Sequence, residues 1–255
     1  MNEIYLKKDK TCLCIDMLIY GQSELPFGLR MHKQKYNILN CTFLHVPTIG
    51  EKIEREMWQR GHLTHEQFIK VIDKKFWLDS ITMTIKEIEK NNLNFIAKTL
   101  KSRDQWRLFG HGKVGYLDIE TTSLYKECGY ITTAVLHCIS FTKIYVNGIN
   151  LDELPSDINE FDVLVTYNGK CFDVPFIEHH YNTKIECIHL DLRYILSNIG
   201  YTGGLKSIET QLGFPQRDDD VDGCLAVSLW HKYKENNDME ALRSLIAYNF
   251  EDTVR

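Results

Sequence analysis

Nothing in this chain of 255 residues approaches the roughly 20 consecutive apolar residues that cross a bilayer. Its first ten residues, M-N-E-I-Y-L-K-K-D-K, lack the apolar core of a secretory signal. A soluble, cytoplasmic protein that does not engage a membrane is expected. Zinc-binding and redox cysteine patterns are missing as well: Cys12, Cys14, Cys41, Cys128, Cys138, Cys171, Cys187 and Cys224 contain no C-x-x-C and no zinc-ribbon spacing. Free buried thiols are the better reading. The best zinc arrangement available, Cys12, Cys14 and Cys41 with His32 or His45, has irregular gaps. Overall positive charge is also absent, with 30 Lys and Arg against 35 Asp and Glu. That balance excludes a small basic nucleic-acid-binding module as a description of the whole chain. There is no internal repeat and no low-complexity tract, and 44% hydrophobic residues are enough for a full core, so a folded chain is expected.

The charge that is present is unevenly placed. Residues 1–110 carry 18 basic against 13 acidic side chains, and residues 111–255 carry 12 against 22. A basic arm beside an acidic body suits one part that holds a polyanion and another that holds metal. Residues 1–40, with Gly21, Pro26 and Gly28, read as irregular strand or loop. From Glu51 the pattern is helical through Ile53, Met57 and Trp58, and Gly61 stands as a C-cap. Thr64 opens a second helix as N-cap, with Gln67 at capping-box spacing and Phe68, Ile69 and Ile72 as its apolar face. Further helix is predicted over 80–101, and residues 102–112, with Gly110 and Gly112, mark a domain boundary. Beyond it, 114–118, 131–139 and 143–146 read as three consecutive strands, the last two joined by a tight turn. An acidic helical stretch (151–161), a strand (162–168), a helix (173–182), a strand (186–190) and helices near 204–212, 221–235 and 239–254 follow. The fold class is α/β, a mixed sheet flanked by helices, over 111–255, preceded by a smaller, mainly helical domain over 1–110.

Chemistry concentrates in three places. In L-D-I-E-T-T (117–122), Asp118 and Glu120 are two apart at a strand end, so both point to one face and repel unless a cation lies between them. In Y-N-G-K-C-F-D (167–173) a strand gives way to Asn168-Gly169, and Asp173 stands at a helix start. In the final helix, Tyr248 and Asp252 are four apart and share a face. Singly, each has an ordinary reading: a solvated strand edge, an N-cap carboxylate, a surface pair. Together they supply four carboxylates and a phenol, the equipment for two hard divalent cations.

In these stretches the sequence resembles the DEDD (DnaQ-like) superfamily of 3′–5′ exonucleases, and the Y-x3-D spacing resembles its tyrosine (DEDDy) subgroup. The nearest likeness is to the YprB-type ribonuclease H-like domains of bacteria and archaea, carried by D-I-E-T-T, T-Y-N-G-K-C-F-D-V-P-F-I, G-G-L-K-S-I-E-T-Q-L-G-F, the D-G at 222–223 and A-Y-N-F-E-D-T-V. The resemblance covers 113–255 and implies a ribonuclease H-like fold. It implies that Asp118, Glu120 and Asp252 hold one metal, and that Asp118 bridges to a second supported by Asp173, both Mg2+ or Mn2+. Tyr248 would orient the attacking water. The substrate implied is the 3′ end of a single-stranded nucleic acid, with DNA favoured over RNA. Thr121, Asn168, Lys170 and Lys206 are candidate strand contacts. A binding module with weak or partner-dependent cleavage and an endonuclease of the same fold are the alternatives.

Asp191, in H-L-D-L-R, reads as a helix N-cap ahead of a support for the site, and Asp218, Asp219, Asp220 and Asp222 as a solvated loop or cap. His179, His180 and His189 take structural roles. Residues 46–61 resemble the hairpin and second helix of a helix-hairpin-helix, a degenerate one spanning about 44–72, with Gly50 at the second glycine and Thr48 where the first is usual. Gly50, Lys52 and Arg55 are its candidate contacts to a phosphate backbone. The chain ends three residues after Asp252, and continuation of the last helix beyond Arg255 is expected.

Overall fold

The structure is a computed structural model that describes residues 38–109, 111–215 and 223–254. Cys12, Cys14, Gly21, Pro26, Gly28, His32, Gly110, Asp218, Asp219, Asp220 and Asp222 lie outside the described residues. Two compact units divide the chain, Met1–Asn92 and Leu93–Arg255. The segment 93–109, placed before the boundary by sequence pattern, therefore belongs to the second unit. Among the described residues no helix is long and apolar enough to cross a membrane.

In the first unit, helix α1 (Glu51–Gln59) ends where the glycine signal places it. Gly61 takes φ +86°, its N–H reaches Trp58 O, and His62 N–H reaches Met57 O, which is the paired closure of a Schellman motif. Helix α2 (His65–Ile69) carries the complete capping box, Thr64 with Gln67. It is shorter than its apolar pattern suggests, and Ile72 packs from the turn beyond it. Helix α3 (Lys75–Glu89) starts five residues earlier than expected, and Asn91, at φ +56°, separates it from helix α4 (Leu93–Thr99). Cys41, Phe43, Val46, Ile49, Trp58, Phe68 and Ile81 form the core. Buried Glu54 fastens the preceding loop to α1 by accepting the Phe43 N–H (2.7 Å) and the Thr42 hydroxyl (3.1 Å). The Val46–Ile49 turn places Pro47 second and Thr48 third, with Thr48 at φ +71°, the left-handed region that a type II turn requires there. The threonine adopts the backbone normally reserved for glycine, and its hydroxyl accepts from Trp77 Nε1 (3.1 Å).

In the second unit, five strands form one mixed sheet in the order β3-β2-β1-β4-β5: β1 (Val114–Thr121), β2 (Ile131–His137), β3 (Thr142–Val146), β4 (Val163–Thr166) and β5 (Ile188–Asp191). β2 pairs antiparallel with β1 and β3, while β4 runs parallel to β1 and β5. Two apolar clusters pack the sheet. Leu117, Ile119, Leu136, Leu164 and Tyr145 meet helix α5 (Leu154–Ile158) and helix α6 (Asp173–Tyr181) in one of them. Helix α7 (Leu192–Ser197), which sequence pattern did not separate from its surroundings, follows β5 directly, and helix α8 (Leu205–Gln211) comes next. Val146, Ala226, Trp230, Leu242 and Leu245 form the other cluster, with helices α9 (Gly223–Asn236) and α10 (Met239–Val254). Leu117, Ile119 and Thr121 of β1 are buried, so the strand alternation turns Asp118 and Glu120 the other way, and α10 packs on β1 and β2.

Candidate active site

Alternation on β1 and helical spacing on α10 bring the charges together. Asp118, Glu120 and Asp252 each offer a carboxylate oxygen, and these oxygens lie within 4.8 Å of one another. Among the described residues no other group of three His, Cys, Asp or Glu side chains comes together in this way. His179 and His180 take no part, and His189 shares a hydrogen bond with the Thr166 hydroxyl (2.8 Å). Cys41 and His45 are buried in the first unit.

Asp173 arrives from the other side of β1. The parallel ladder between β1 and β4 ends at Tyr116–Val165, which leaves the Ile119 N–H to find another acceptor. Asp173 Oδ1 takes it at 3.1 Å, between the two carboxylates of the strand. Burial is the largest influence on all three groups. It drives the Asp118 carboxyl well above the usual carboxylate range, helped by Asp173, Glu120 and Asp252. Glu120 is pushed up to about 8 by burial and then by Asp252 and Asp173. Asp173 is pushed up to about 7, against the backbone N–H groups that favour its ionised form. Carboxyls held this high repel one another when ionised, and hard oxygen donors so placed suit a divalent ion. Tyr248 donates to Asp252, and burial and the surrounding carboxylates hold its phenol above the usual range. Lys206, on α8, places its ammonium 5.2 Å from the centre of the Tyr248 ring.

The loop between β4 and α6 is fixed by Asp191, which is both the N-cap of α7 and an anchor. Its buried carboxylate accepts N–H groups from Asn168 (2.8 Å), Lys170 (2.9 Å) and Arg193 (3.0 Å). Asn168 sits at φ +66°, and its side-chain oxygen accepts from Arg193 (2.6 Å). A Cβ on Gly169 would overlap Thr166 Oγ1, so only glycine fits the next position. Truncating Asp191 to alanine orphans three N–H groups, and we expect a loss of about 3 kcal/mol in chemical denaturation together with displacement of Asp173. An undiminished midpoint would show that water replaces the carboxylate without cost.

The other sequence candidates fall as follows. The Thr121 hydroxyl donates to Ser123 O (2.7 Å), just after the irregularity in pairing at Glu120/Thr121. Gly50 is the N-cap of α1, Lys52 is exposed, and Arg55 pairs with Glu51 (3.4 Å), all in the first unit. Two residues were missed. Asn249 has no exposed surface; its Nδ2 donates to Asp118 Oδ2 (2.7 Å), and its Oδ1 accepts from the Thr133 hydroxyl (3.1 Å). The available signal was a poor helix former inside the last helix, three residues before Asp252.

No curated protein matches the chain. Among solved structures it is similar to the family B DNA polymerase from the hyperthermophilic archaeon Pyrobaculum calidifontis, at 14% identity and a TM-score of 0.45. That match covers 56% of this chain and 24% of the polymerase, so the chain spans about a quarter of its length. The RNase_H superfamily profile matches residues 115–255, a span that holds Asp118, Glu120, Asp173, Tyr248 and Asp252. With more than half of its length in that match, and with a mixed five-stranded sheet flanked by helices, the chain belongs to the RNase_H superfamily.

Proposed function

We propose that the chain is a metal-dependent 3′–5′ exonuclease of the DEDDy type that hydrolyses phosphodiester bonds of single-stranded nucleic acid, DNA ahead of RNA. The observation that carries this reading is the approach of the Asp118, Glu120 and Asp252 oxygens within 4.8 Å, with Asp173 bound to the strand between the first two. Asp118, Glu120 and Asp252 would hold one Mg2+ or Mn2+, and Asp118 with Asp173 a second. Such ions, when bound, neutralise charge on the phosphate and lower the pKa of a water.

The remaining work falls to the chain. Tyr248 keeps its proton at neutral pH, so it orients a water by hydrogen bonding rather than acting as a base. Asp252 accepts a hydrogen bond from the phenol O–H and so holds Tyr248 in place. Lys206 and Lys170 supply positive charge for the strand, and Thr121 and Asn168 shape the loops that border it. In the first unit, the N-terminus of α1 at Gly50, with Lys52 and Arg55, would grip a phosphate backbone without reading sequence.

The test is cleavage of 5′-labelled single-stranded DNA and RNA oligonucleotides in Mn2+ or Mg2+ against EDTA. A metal-dependent ladder shortening from the 3′ end is the expected result, and the faster substrate assigns the sugar. Mid-strand products would instead identify an endonuclease. Retention of the strand without cleavage would identify a recognition module.

A further inference from the structure

Asn249 uses both ends of its amide across the sheet. In the ionised form that a cation would require, Asp118 can only accept, so the end facing its Oδ2 at 2.7 Å is the N–H end. Oδ1 then faces the Thr133 hydroxyl at 3.1 Å, and that hydroxyl, able to donate or accept, donates. Thr133 is the cross-strand partner of Glu120 on β2, so the relay runs from β2 through α10 to β1 beside the carboxylate cluster. Its two inner members are withdrawn from water: Thr133 and Asn249 have no exposed surface.

We infer that Thr133 and Asn249 are positioning residues for the metal centre. Thr133 fixes which way the amide points, and Asn249 clamps one oxygen of Asp118, setting the plane of the carboxylate that the two-cation reading shares between both ions. The inference rests on that reading. A neutral amide suits the task for an electrostatic reason. Asp118 stands among three other carboxylates and needs a donor to keep its orientation, but an ammonium or guanidinium in that place would compete with the cation for the same charge. The amide supplies the N–H and leaves the charge for the ion. Removing the Thr133 hydroxyl leaves Oδ1 without its donor in a dry place, so the amide loses the contact that selects its orientation.

Two substitutions at one position separate this role from packing. Thr133→Val keeps the side-chain shape and deletes the hydroxyl, while Thr133→Ser keeps the hydroxyl and deletes a methyl. If Thr133 only fills space, valine is benign and serine is the weaker protein. If it positions Asn249, the order reverses. Calorimetric titration of the full chain with Mn2+ should show about 10–100-fold weaker binding in Thr133→Val and near-parent binding in Thr133→Ser. Asn249→Ala should lose as much as Thr133→Val, and the double variant should be no worse than Asn249→Ala, because both break the same relay. On labelled oligonucleotides the loss should appear in kcat with KM little changed. Parent-like Mn2+ affinity in Thr133→Val, or additive losses in the double variant, would overturn the positioning role while leaving the metal site standing. A parent protein that binds no Mn2+ would remove the metal reading and this inference with it.

Discussion

Asp118→Asn is expected to abolish metal-dependent cleavage, by at least about a thousandfold, or about 4 kcal/mol of barrier. The same change should stabilise the protein when metal is withheld. Asp118 lies among Glu120, Asp173 and Asp252, and its carboxyl is driven above the usual range mainly by burial and then by those neighbours. An amide of the same shape removes the buried acid and relieves its neighbours, so in EDTA the variant should melt higher than the parent. In Mn2+ the order should reverse, because the parent gains binding energy that the variant lacks. The crossing of the two melting temperatures is the diagnostic result, since a general folding defect lowers both. Strand binding should survive, because the lysines proposed to hold phosphate are untouched. A variant that keeps a tenth of parental turnover would mean that Asp118 is not a ligand, and the cluster would have to be reassigned around Glu120 and Asp252.

Much of the carboxylate cluster is legible in local sequence pattern. Period-two alternation places Asp118 and Glu120 on one face, four-residue spacing does the same for Tyr248 and Asp252, and both rest on backbone geometry that tertiary packing did not override. The glycine and capping-box signals around α1 and α2 held because caps are local hydrogen-bond requirements. What escaped was long-range. Asn249 meets its partners 131 and 116 residues away, and no local pattern announces such a pairing. Asp191 is visible as an N-cap, yet its hold on Asn168 and Lys170 depends on the parallel placement of β4 beside β5. The start of α3 and the gap before α4 escaped for a different reason. Lys74 caps α3 without a side-chain bond, and Asn91 ends the segment through a left-handed backbone that asparagine tolerates without advertising it.

Metal-free protein is expected to lose stability as pH rises from 7 to 8, and a saturating divalent cation should flatten that slope. Glu120 is held at about 8 and Asp118 well above the carboxylate range. Between the ordinary value of such a group and its raised one, the folded state keeps a proton that the unfolded chain has released. Raising pH in that window therefore favours unfolding, and the stabilisation is gone once pH passes the raised value. Glu120 alone accounts for on the order of 1 kcal/mol across that unit of pH, or roughly 2–4 °C in Tm, and Asp118 adds to it in the same direction. Asp173, raised to about 7, titrates at the lower end of this window and acts in the same sense. His65 and His189, each lowered to about 4 chiefly by burial, work in the opposite sense, but their contribution is complete above the ordinary histidine value of about 6.5. The Cys187 thiol, raised to about 11, begins to matter only above the ordinary thiol range. With the cation in place the carboxylates are ionised in the folded state as well, so the folded and unfolded chains bind the same number of protons and the slope vanishes. Binding must then release protons, and titrations with Mn2+ at pH 7 in buffers of different ionisation enthalpy should count more than one per chain. A slope unchanged by Mn2+, with no proton release, would mean that the ion does not enter among Asp118, Glu120 and Asp252.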